Sequence, residues 1–214
     1  STDMKIYKKS FDHLKKAIFN TSKLKLKYFS FHAGFLIDPN INDFGKTLSK
    51  QLINDRNEIL NLFIKRLNYL SNYAKKKGVI LLIENNVITK KNLNRFGKNP
   101  FLMTRLNETK KIMMNTNSNV KLLIDVAHLK VSAKTLKFDP INYLSKLENW
   151  IEAYHLSDNN GQIDSNKNLT SKSWFWKYLK ADVKYCTLEL KDLSLYNIKS
   201  QLILCKNKIK NNIN

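Results

Sequence analysis

The sequence predicts an α/β fold in which a parallel sheet forms a (β/α) barrel. Along the 214 residues, short apolar runs of strand length alternate with longer stretches whose apolar residues recur at helical spacing. This alternation is typical of βαβ units around a parallel sheet. No glycine-rich phosphate-binding loop follows any predicted strand, which weighs against the Rossmann and P-loop classes.

The first half of the chain contains two predicted strands. Residues 4–20 have a helical apolar pattern, and a strand follows over residues 26–31. Residues 44–77 predict a long helix, either continuous or broken once, which Gly78 ends. The next run, 79–84, is apolar up to its last residue, as expected for a strand that is buried on both faces.

The second half continues the same alternation. Three more strands are predicted, over residues 120–126, 151–156 and 185–190. The segments between and after the strands are predicted as a helix over about 101–115, a loop after 126, a helix over about 140–148, a polar loop over 157–172, a helix around 174–179 and a last helix over about 194–209. We expect one domain over residues 1–214, with a polar tail at 206–214.

The bulk composition indicates a globular protein with a strongly basic surface. Hydrophobic residues make up 43% of the chain, and 38 Lys and Arg stand against 17 Asp and Glu, for a net charge of +21. Such a charge suits a phosphorylated substrate or nucleic acid. The abundance of Lys, Asn and Ile favours a simpler explanation, an AT-rich genome that raises the lysine content everywhere.

Cysteine content and hydropathy predict a cytoplasmic protein. The two cysteines, Cys186 and Cys205, form no CxxC motif, so a reducing compartment is the default. No stretch approaches the roughly 20 apolar residues that a membrane span needs, and no signal peptide is visible. A homo-oligomer is compatible with the sequence.

Acidic and imidazole side chains stand at the ends of all five predicted strands. They are His32, Glu84, Asp125 with His128, His155, and Glu189. Any one of these acids could simply cap the following helix, and a single histidine is more often hydrogen-bonded than a ligand. Charged groups nevertheless rarely end buried strands unless they are paired or bound to metal. In parallel α/β folds, this edge of the sheet is where catalytic groups collect.

Carboxylates and imidazoles that meet at one barrel mouth would repel one another without a cation. A bound divalent ion removes this conflict. Mixed oxygen and imidazole ligands suit Mn²⁺, Co²⁺, Mg²⁺ or Zn²⁺, and no thiolate is present at the strand ends to select zinc.

Several short segments also match a known superfamily in order and spacing over about residues 26–190. They are Phe31-His32-Ala33-Gly34, Leu82-Ile83-Glu84-Asn85, Ile124-Asp125-Val126-Ala127-His128, His155-Leu156-Ser157-Asp158-Asn159, Gly161 with Asp164, and Thr187-Leu188-Glu189. Together they resemble the xylose isomerase-like TIM barrels, which include sugar-phosphate isomerases and epimerases and the endonuclease IV group. The D-x-x-H motif followed by H-L-S-D-N is the most specific part.

The resemblance implies one divalent ion held by four residues: Glu84, Asp125, His155 and Glu189. In the isomerase and epimerase branch, the ion chelates two neighbouring sugar oxygens. Glu84 and Glu189 would then move a proton through an enediolate.

The same resemblance implies roles around the substrate. His128 resembles the histidine that faces the substrate, and His32 the histidine on the third strand. Asp158, Asp164 and Asn166 complete the residues that we expect at the substrate.

The chain departs from the family pattern in two ways. The family barrel has eight strands and only five are predicted here, so the first two βα units, about 50–60 residues, are expected to be missing or replaced. The family often has D-x-H after the sixth strand, where this chain has Asp164-Ser165-Asn166. Asparagine is a poor replacement for a metal-binding histidine. This change therefore counts more against a multi-metal nuclease function than against a single-metal isomerase function.

Three functions therefore stay open at the level of the sequence. The preferred one is a divalent-metal-dependent isomerase or epimerase of a small sugar or sugar phosphate. The second is a metal-dependent phosphodiesterase acting on abasic DNA, which the net charge favours. The third is a degenerate barrel without catalytic activity, because a fold never guarantees its chemistry.

Overall fold

The computed structural model describes residues 1–43, 48–191 and 194–211. Within these residues, five parallel strands form one sheet in the order in which they occur along the chain. The strands are β1 (Tyr28–His32), β2 (Ile80–Glu84), β3 (Val120–Asp125), β4 (Ile151–Leu156) and β5 (Tyr185–Leu188). The sheet is part of a TIM-type barrel, which confirms the predicted α/β barrel class.

Seven α-helices accompany the strands in the described part of the chain. They are α1 (Met4–Lys23), α2 (Arg56–Lys76), α3 (Lys90–Phe96), α4 (Leu106–Met114), α5 (Val126–Leu136), α6 (Pro140–Leu147) and α7 (Leu195–Asn211). Each connection between neighbouring strands includes enough chain to cross over the sheet, as parallel pairing requires. No helix among the described residues is both long and apolar enough to cross a membrane.

The two faces of the sheet differ in what they bury. Residues such as Leu81 and Ile83 belong to the large core between the strands and the helices. Leu82, Leu123 and Ala153 form a separate small cluster with Tyr28 and Ile80 on the inner face of the barrel. Because successive side chains of a strand point to opposite faces, the residues two positions further along β2, β3 and β4 also belong to the inner face. Those residues are Glu84 and Asp125, which end β2 and β3, and His155, which precedes the last residue of β4.

Aromatic side chains close the inner face at the N-terminal ends of the strands. The rings of Tyr28 on β1 and Tyr185 on β5 lie 4.9 Å apart, although β1 and β5 are the two outer strands of the described sheet. The Tyr28 hydroxyl donates to Oε1 of Glu152 at 2.7 Å. Burial raises the pKa of Tyr28, and the hydrogen bond to Glu152 raises it further. The inner face is therefore strongly curved and filled at one end, with the polar strand ends at the other.

The helix predicted over residues 44–77 is shorter in the structure. It begins at Arg56, since the Asp55 side chain accepts from the backbone N–H of Glu58 at 2.9 Å and caps the helix. Leu48 is buried outside any helix, and Leu52 is 95% exposed. The helical spacing of Leu48 and Leu52 therefore does not indicate a helix here. Residues 44–47 of the predicted helix lie outside the described part of the chain.

A helix, α5, replaces the loop predicted after residue 126. Asp125 is both the last residue of β3 and the cap of this helix, because its Oδ1 accepts from the backbone N–H of His128 at 2.7 Å. Val126, Ala127 and Leu129 are all buried, so the helix lacks the polar face by which a surface helix is recognised. This placement puts His128 in the first turn of a buried helix.

Smaller differences concern the other connections. Helix α3 lies between the predicted strand 79–84 and the predicted helix 101–115, where no helix is predicted. A single 3-10 turn at Trp176–Tyr178 replaces the helix predicted around 174–179. Strand β5 ends at Leu188, so Glu189 lies one residue beyond it. Helix α7 continues through residues 206–211 of the predicted polar tail.

Candidate metal centre

The register of the sheet brings the strand-end residues to one level. His32 pairs with Glu84 across β1 and β2, and Asp125 pairs with His155 across β3 and β4. The backbone N–H of Glu189 donates to the carbonyl of Leu156 at 3.1 Å, which continues the ladder beyond β5. Residues that are distant in sequence therefore meet at the C-terminal rim of the sheet.

Four of these residues form a compact group. Glu84, Asp125, His155 and Glu189 each offer one ligand atom, and the four atoms lie within 4.8 Å of one another. Nδ1 of His155 lies 3.2 Å from Oε1 of Glu84 and 2.9 Å from Oε2 of Glu189. Glu84 and Asp125 are 5% and 1% exposed, so the group is closed on the side of the barrel interior.

The donor set of this group fits a divalent cation. Three carboxylates surround one imidazole, and Oδ2 of Asp125 is buried without a hydrogen-bond partner among the described residues. A buried carboxylate oxygen without a donor is costly unless a cation compensates it. Oxygen ligands with one imidazole are acceptable to Mn²⁺, Mg²⁺, Co²⁺ and Zn²⁺.

The pKa values of the group show how it carries its charge without an ion. Burial raises the pKa of Asp125 to about 7. Burial also opposes the protonation of His155, but its contacts with Glu189 and Glu84 outweigh burial and raise its pKa to about 10. The contact with His155 lowers the pKa of Glu189 to about 2. Protons on His155 and Asp125 thus occupy the place that a cation would take.

Metal binding at this group should strengthen as the pH rises. The pKa of His155 is about 10, so at any pH below this value His155 must release a proton to become a ligand. Asp125, with a pKa of about 7, must do the same at a pH below 7. Each released proton lowers the dissociation constant about tenfold per pH unit, so the Kd for Mn²⁺ should fall about 10²–10³-fold between pH 6 and pH 8. Isothermal titration calorimetry at several pH values measures this change, and a Kd that is independent of pH contradicts the ligand set.

His128 lies beside the group, held between two acceptors. Its Nδ1 is 3.0 Å from the carbonyl oxygen of Asn85, and its Nε2 is 3.1 Å from Oδ2 of Asp164. Two acceptors require a proton on each ring nitrogen. Although burial lowers the pKa of His128, the charges of Asp125 and Asp164 raise it to about 10.

His32 lies at the more exposed side of the same rim. Its ring is 5.7 Å from that of His128, and its Nε2 is 3.9 Å from Oε2 of Glu84. Burial lowers the pKa of His32. His32, Glu84 and His128 form a second group whose ligand atoms lie within 4.8 Å of one another. Because the Asn85 carbonyl engages Nδ1 of His128, the four-residue group is the better candidate.

The loop after β4 adds two further predicted residues to the site. Asp164 contacts His128, and the Asn166 side-chain amide donates to Oε1 of Glu189 at 3.3 Å. Asn166 has a backbone φ of 45°, in the left-handed region. One buried oxygen of each, Asp164 Oδ1 and Asn166 Oδ1, has no hydrogen-bond partner in the described part of the protein.

Asp158, which we expected at the substrate, is engaged within its own loop. Its Oδ1 accepts from Nζ of Lys130 at 2.6 Å and from the backbone N–H of Asn159 at 2.8 Å. Its Oδ2 accepts from the Ser173 hydroxyl at 2.8 Å. Both carboxylate oxygens therefore have partners before any substrate arrives.

The role of Asn85 was missed by reasoning from the sequence. This residue is 1% exposed, and its side chain makes two bonds to the backbone of Asp125: Oδ1 accepts from the N–H at 2.8 Å, and Nδ2 donates to the carbonyl at 3.1 Å. Its own carbonyl contacts His128. Asn85 thus ties the end of β2 to the end of β3. A polar residue after a strand normally indicates a turn, so only its burial could have identified this role.

Comparison with solved structures finds the same fold in an epimerase-like protein, in a protein soaked with ZnCl2 and in a sugar epimerase. A D-tagatose 3-epimerase-like protein is 18% identical, with a TM-score of 0.74 over 99% of this chain and 73% of that chain. A Thermus thermophilus protein soaked with ZnCl2 is 19% identical, with a TM-score of 0.65 over 97% and 72%. The D-psicose 3-epimerase from Clostridium cellulolyticum, with D-tagatose, is 12% identical, with a TM-score of 0.63 over 100% and 70%.

Comparison with curated proteins finds no significant match. Comparison with family models assigns the chain to a family. The family model described as xylose isomerase-like TIM barrel matches residues 1–183. The matched range includes Glu84, Asp125 and His155 and ends before Glu189. The chain belongs to the xylose isomerase-like TIM barrel family.

Proposed function

We propose that this chain is a divalent-metal-dependent isomerase or epimerase of a small sugar or sugar phosphate. The observation that carries the proposal is the arrangement of Glu84 and Glu189, whose carboxylates contact the same nitrogen of His155 at 3.2 and 2.9 Å. Two carboxylates around one candidate metal position can remove a proton and return it elsewhere on the substrate. The epimerases among the structural neighbours support a small ketose as the substrate class.

The proposed reaction transfers protons only and leaves the carbon and oxygen atoms of the substrate in place. One carboxylate takes the proton from the carbon beside the substrate carbonyl, and the electrons of that C–H bond form the C=C bond of an enediolate. For an epimerase, the other carboxylate returns a proton to the opposite face of that carbon. For an isomerase, a proton returns to the former carbonyl carbon, and the hydroxyl proton of the first carbon passes to the former carbonyl oxygen. A divalent ion, when bound by the four residues, would polarise the carbonyl and stabilise the negative charge.

The remaining polar residues would orient the substrate. Asn85 and Asp164 engage both N–H groups of His128, so this residue would contribute a positive charge beside the carboxylates and hold Asp164 in place. The buried oxygens of Asp164 and Asn166 that lack donors in the described part of the chain are acceptors for sugar hydroxyl groups, which would satisfy both. His32 lies at the exposed side of the rim, where it could contact the far end of the substrate.

Proton exchange with solvent tests the proposed function directly. The protein, loaded with Mn²⁺ or Co²⁺, is incubated in D₂O with a panel of small ketoses and their phosphates, and NMR follows deuterium at the carbons beside the carbonyl. We expect metal-dependent incorporation into at least one substrate, with formation of an epimer or isomer. Absence of exchange from all substrates by the fully metal-loaded protein contradicts the proposal and favours a non-catalytic barrel.

A further inference from the structure

The loop that carries Asp164 and Asn166 is closed at its base. Asp158 and Lys167 pair in an isolated antiparallel bridge, in which the N–H of each donates to the carbonyl of the other at 2.9 and 2.8 Å. Residues 159–166 therefore form a loop whose two ends are joined by this bridge. We call residues 157–173 the rim loop.

Lys130 on helix α5 contacts the base of this loop at two points. Nζ of Lys130 donates to Oδ1 of Asp158 at 2.6 Å and also to the carbonyl of Asn159. The side chains of Lys130 and Asp158 are 30% and 16% exposed, so this ion pair is better shielded from water than a typical surface pair. Through Ser173, Asp158 also connects to the far end of the rim loop.

The same helix carries His128, two residues before Lys130. Asn159 strengthens the connection, because its side-chain amide donates to the carbonyl of Ala127 at 2.9 Å. The first turn of α5 thus contacts the rim loop at its base, while the loop returns Asp164 to His128 at 3.1 Å. Helix α5 therefore carries His128 and also contacts the base of the loop that carries Asp164.

We propose that Lys130 and Asp158 are positioning residues that hold the rim loop, so that Asp164 contacts His128 and Asn166 contacts Glu189. Asn166 supports this role, because its contact with Glu189 gives the loop a second point of attachment at the candidate metal group. Neither Lys130 nor Asp158 needs to touch the substrate. The effect on turnover rests on the proposed function, whereas the effect on the loop does not.

Lys130→Met tests the proposal, because it removes the charge and keeps most of the aliphatic stem. Lys130→Arg retains a cationic donor, and Lys134→Met is a matched control. Lys134 lies one turn further along α5 and reaches the carbonyl of Asn160 in the same loop, but through an exposed contact of 3.3 Å. Hydrogen–deuterium exchange of the metal-loaded proteins reports on the loop, and the ¹⁵N resonances of the His128 ring report on its contact with Asp164.

Lys130→Met should raise the exchange rates of amides in the rim loop by about tenfold or more and shift the Nε2 resonance of His128. Lys130 bonds to Asp158 and Asn159 rather than to the four candidate ligands, so metal affinity should change only through the contact of Asn166 with Glu189, by about tenfold. Turnover should fall about 10–100-fold through kcat, because a small displacement of an orienting group lowers the rate strongly. Lys130→Arg should restore most of each property, and Lys134→Met should resemble the parent.

Two outcomes overturn the proposal. One is a Lys130→Met variant with the loop exchange and the His128 resonance of the parent. The other is a loosened loop with an unchanged His128 resonance, because the loop would then not position that contact. If the parent itself shows no proton exchange with any sugar, the proposed function fails, and the two structural readouts still decide whether Lys130 holds the loop.

Discussion

Glu189→Gln is expected to lower proton exchange by about 10²–10⁴-fold, the usual contribution of a positioned acid or base. The glutamine has the same shape but cannot accept a proton. It also removes the negative charge 2.9 Å from Nδ1 of His155, so binding of the divalent ion should weaken as well. The Glu189 side chain is 41% exposed, so the folded structure should tolerate the change. Exchange in D₂O and metal content of the purified variant measure both effects.

Glu152→Gln is the matched control for this substitution. Glu152 accepts a hydrogen bond from Tyr28 at the opposite end of the barrel interior, and a glutamine oxygen can accept the same bond. We therefore expect the control to keep the metal content and exchange rate of the parent. If Glu189→Gln exchanges protons as fast as the parent at saturating metal, Glu189 is not the acid or base, and the proposed mechanism is wrong in that part.

The strands and their ends could be predicted from the sequence because two physical signals coincide there. A run such as residues 79–83 is apolar on both faces, which occurs in strands that are covered on both sides. An acid such as Glu84 directly after such a run is too costly to bury without a partner. The class of the fold and the rim that carries the polar groups follow from these two observations.

Helix α5 and the polar network behind the site could not be predicted in the same way. A buried helix lacks the amphipathic period that identifies a surface helix, so residues after 126 resembled a loop. Lys130 and Asp158 lie 28 residues apart along the chain, and nothing in either local sequence indicates the other. The resemblance to the family suggested a substrate contact for Asp158, whereas the structure engages both oxygens of this carboxylate within the protein.

Saturating divalent metal is expected to stabilise the parent strongly and Asp125→Asn hardly at all. A ligand at about 1,000 times its Kd adds about 4 kcal/mol to the free energy of unfolding, which corresponds to a rise of about 8–16 °C in Tm for a chain of this size. The substituted asparagine would resemble the protonated form that burial favours, since the pKa of Asp125 is raised to about 7. Its remaining oxygen can still accept from the N–H of His128 and cap α5. The metal-free variant should therefore melt close to the parent.

Thermal melts with and without Mn²⁺ separate the metal site from catalysis, because they need no substrate. Asp139→Asn is the matched control: Asp139 also caps a helix, accepting from the N–H groups of Ile141 and Asn142, but it belongs to α6 rather than to the site. The control should show the full metal-dependent rise in Tm. An equal rise in Asp125→Asn would mean that the ion binds without Asp125, and the four-residue centre would have to be replaced by another set of ligands. Because Asp125 supplies a buried oxygen that lacks a donor among the described residues, loss of the rise is the expected result.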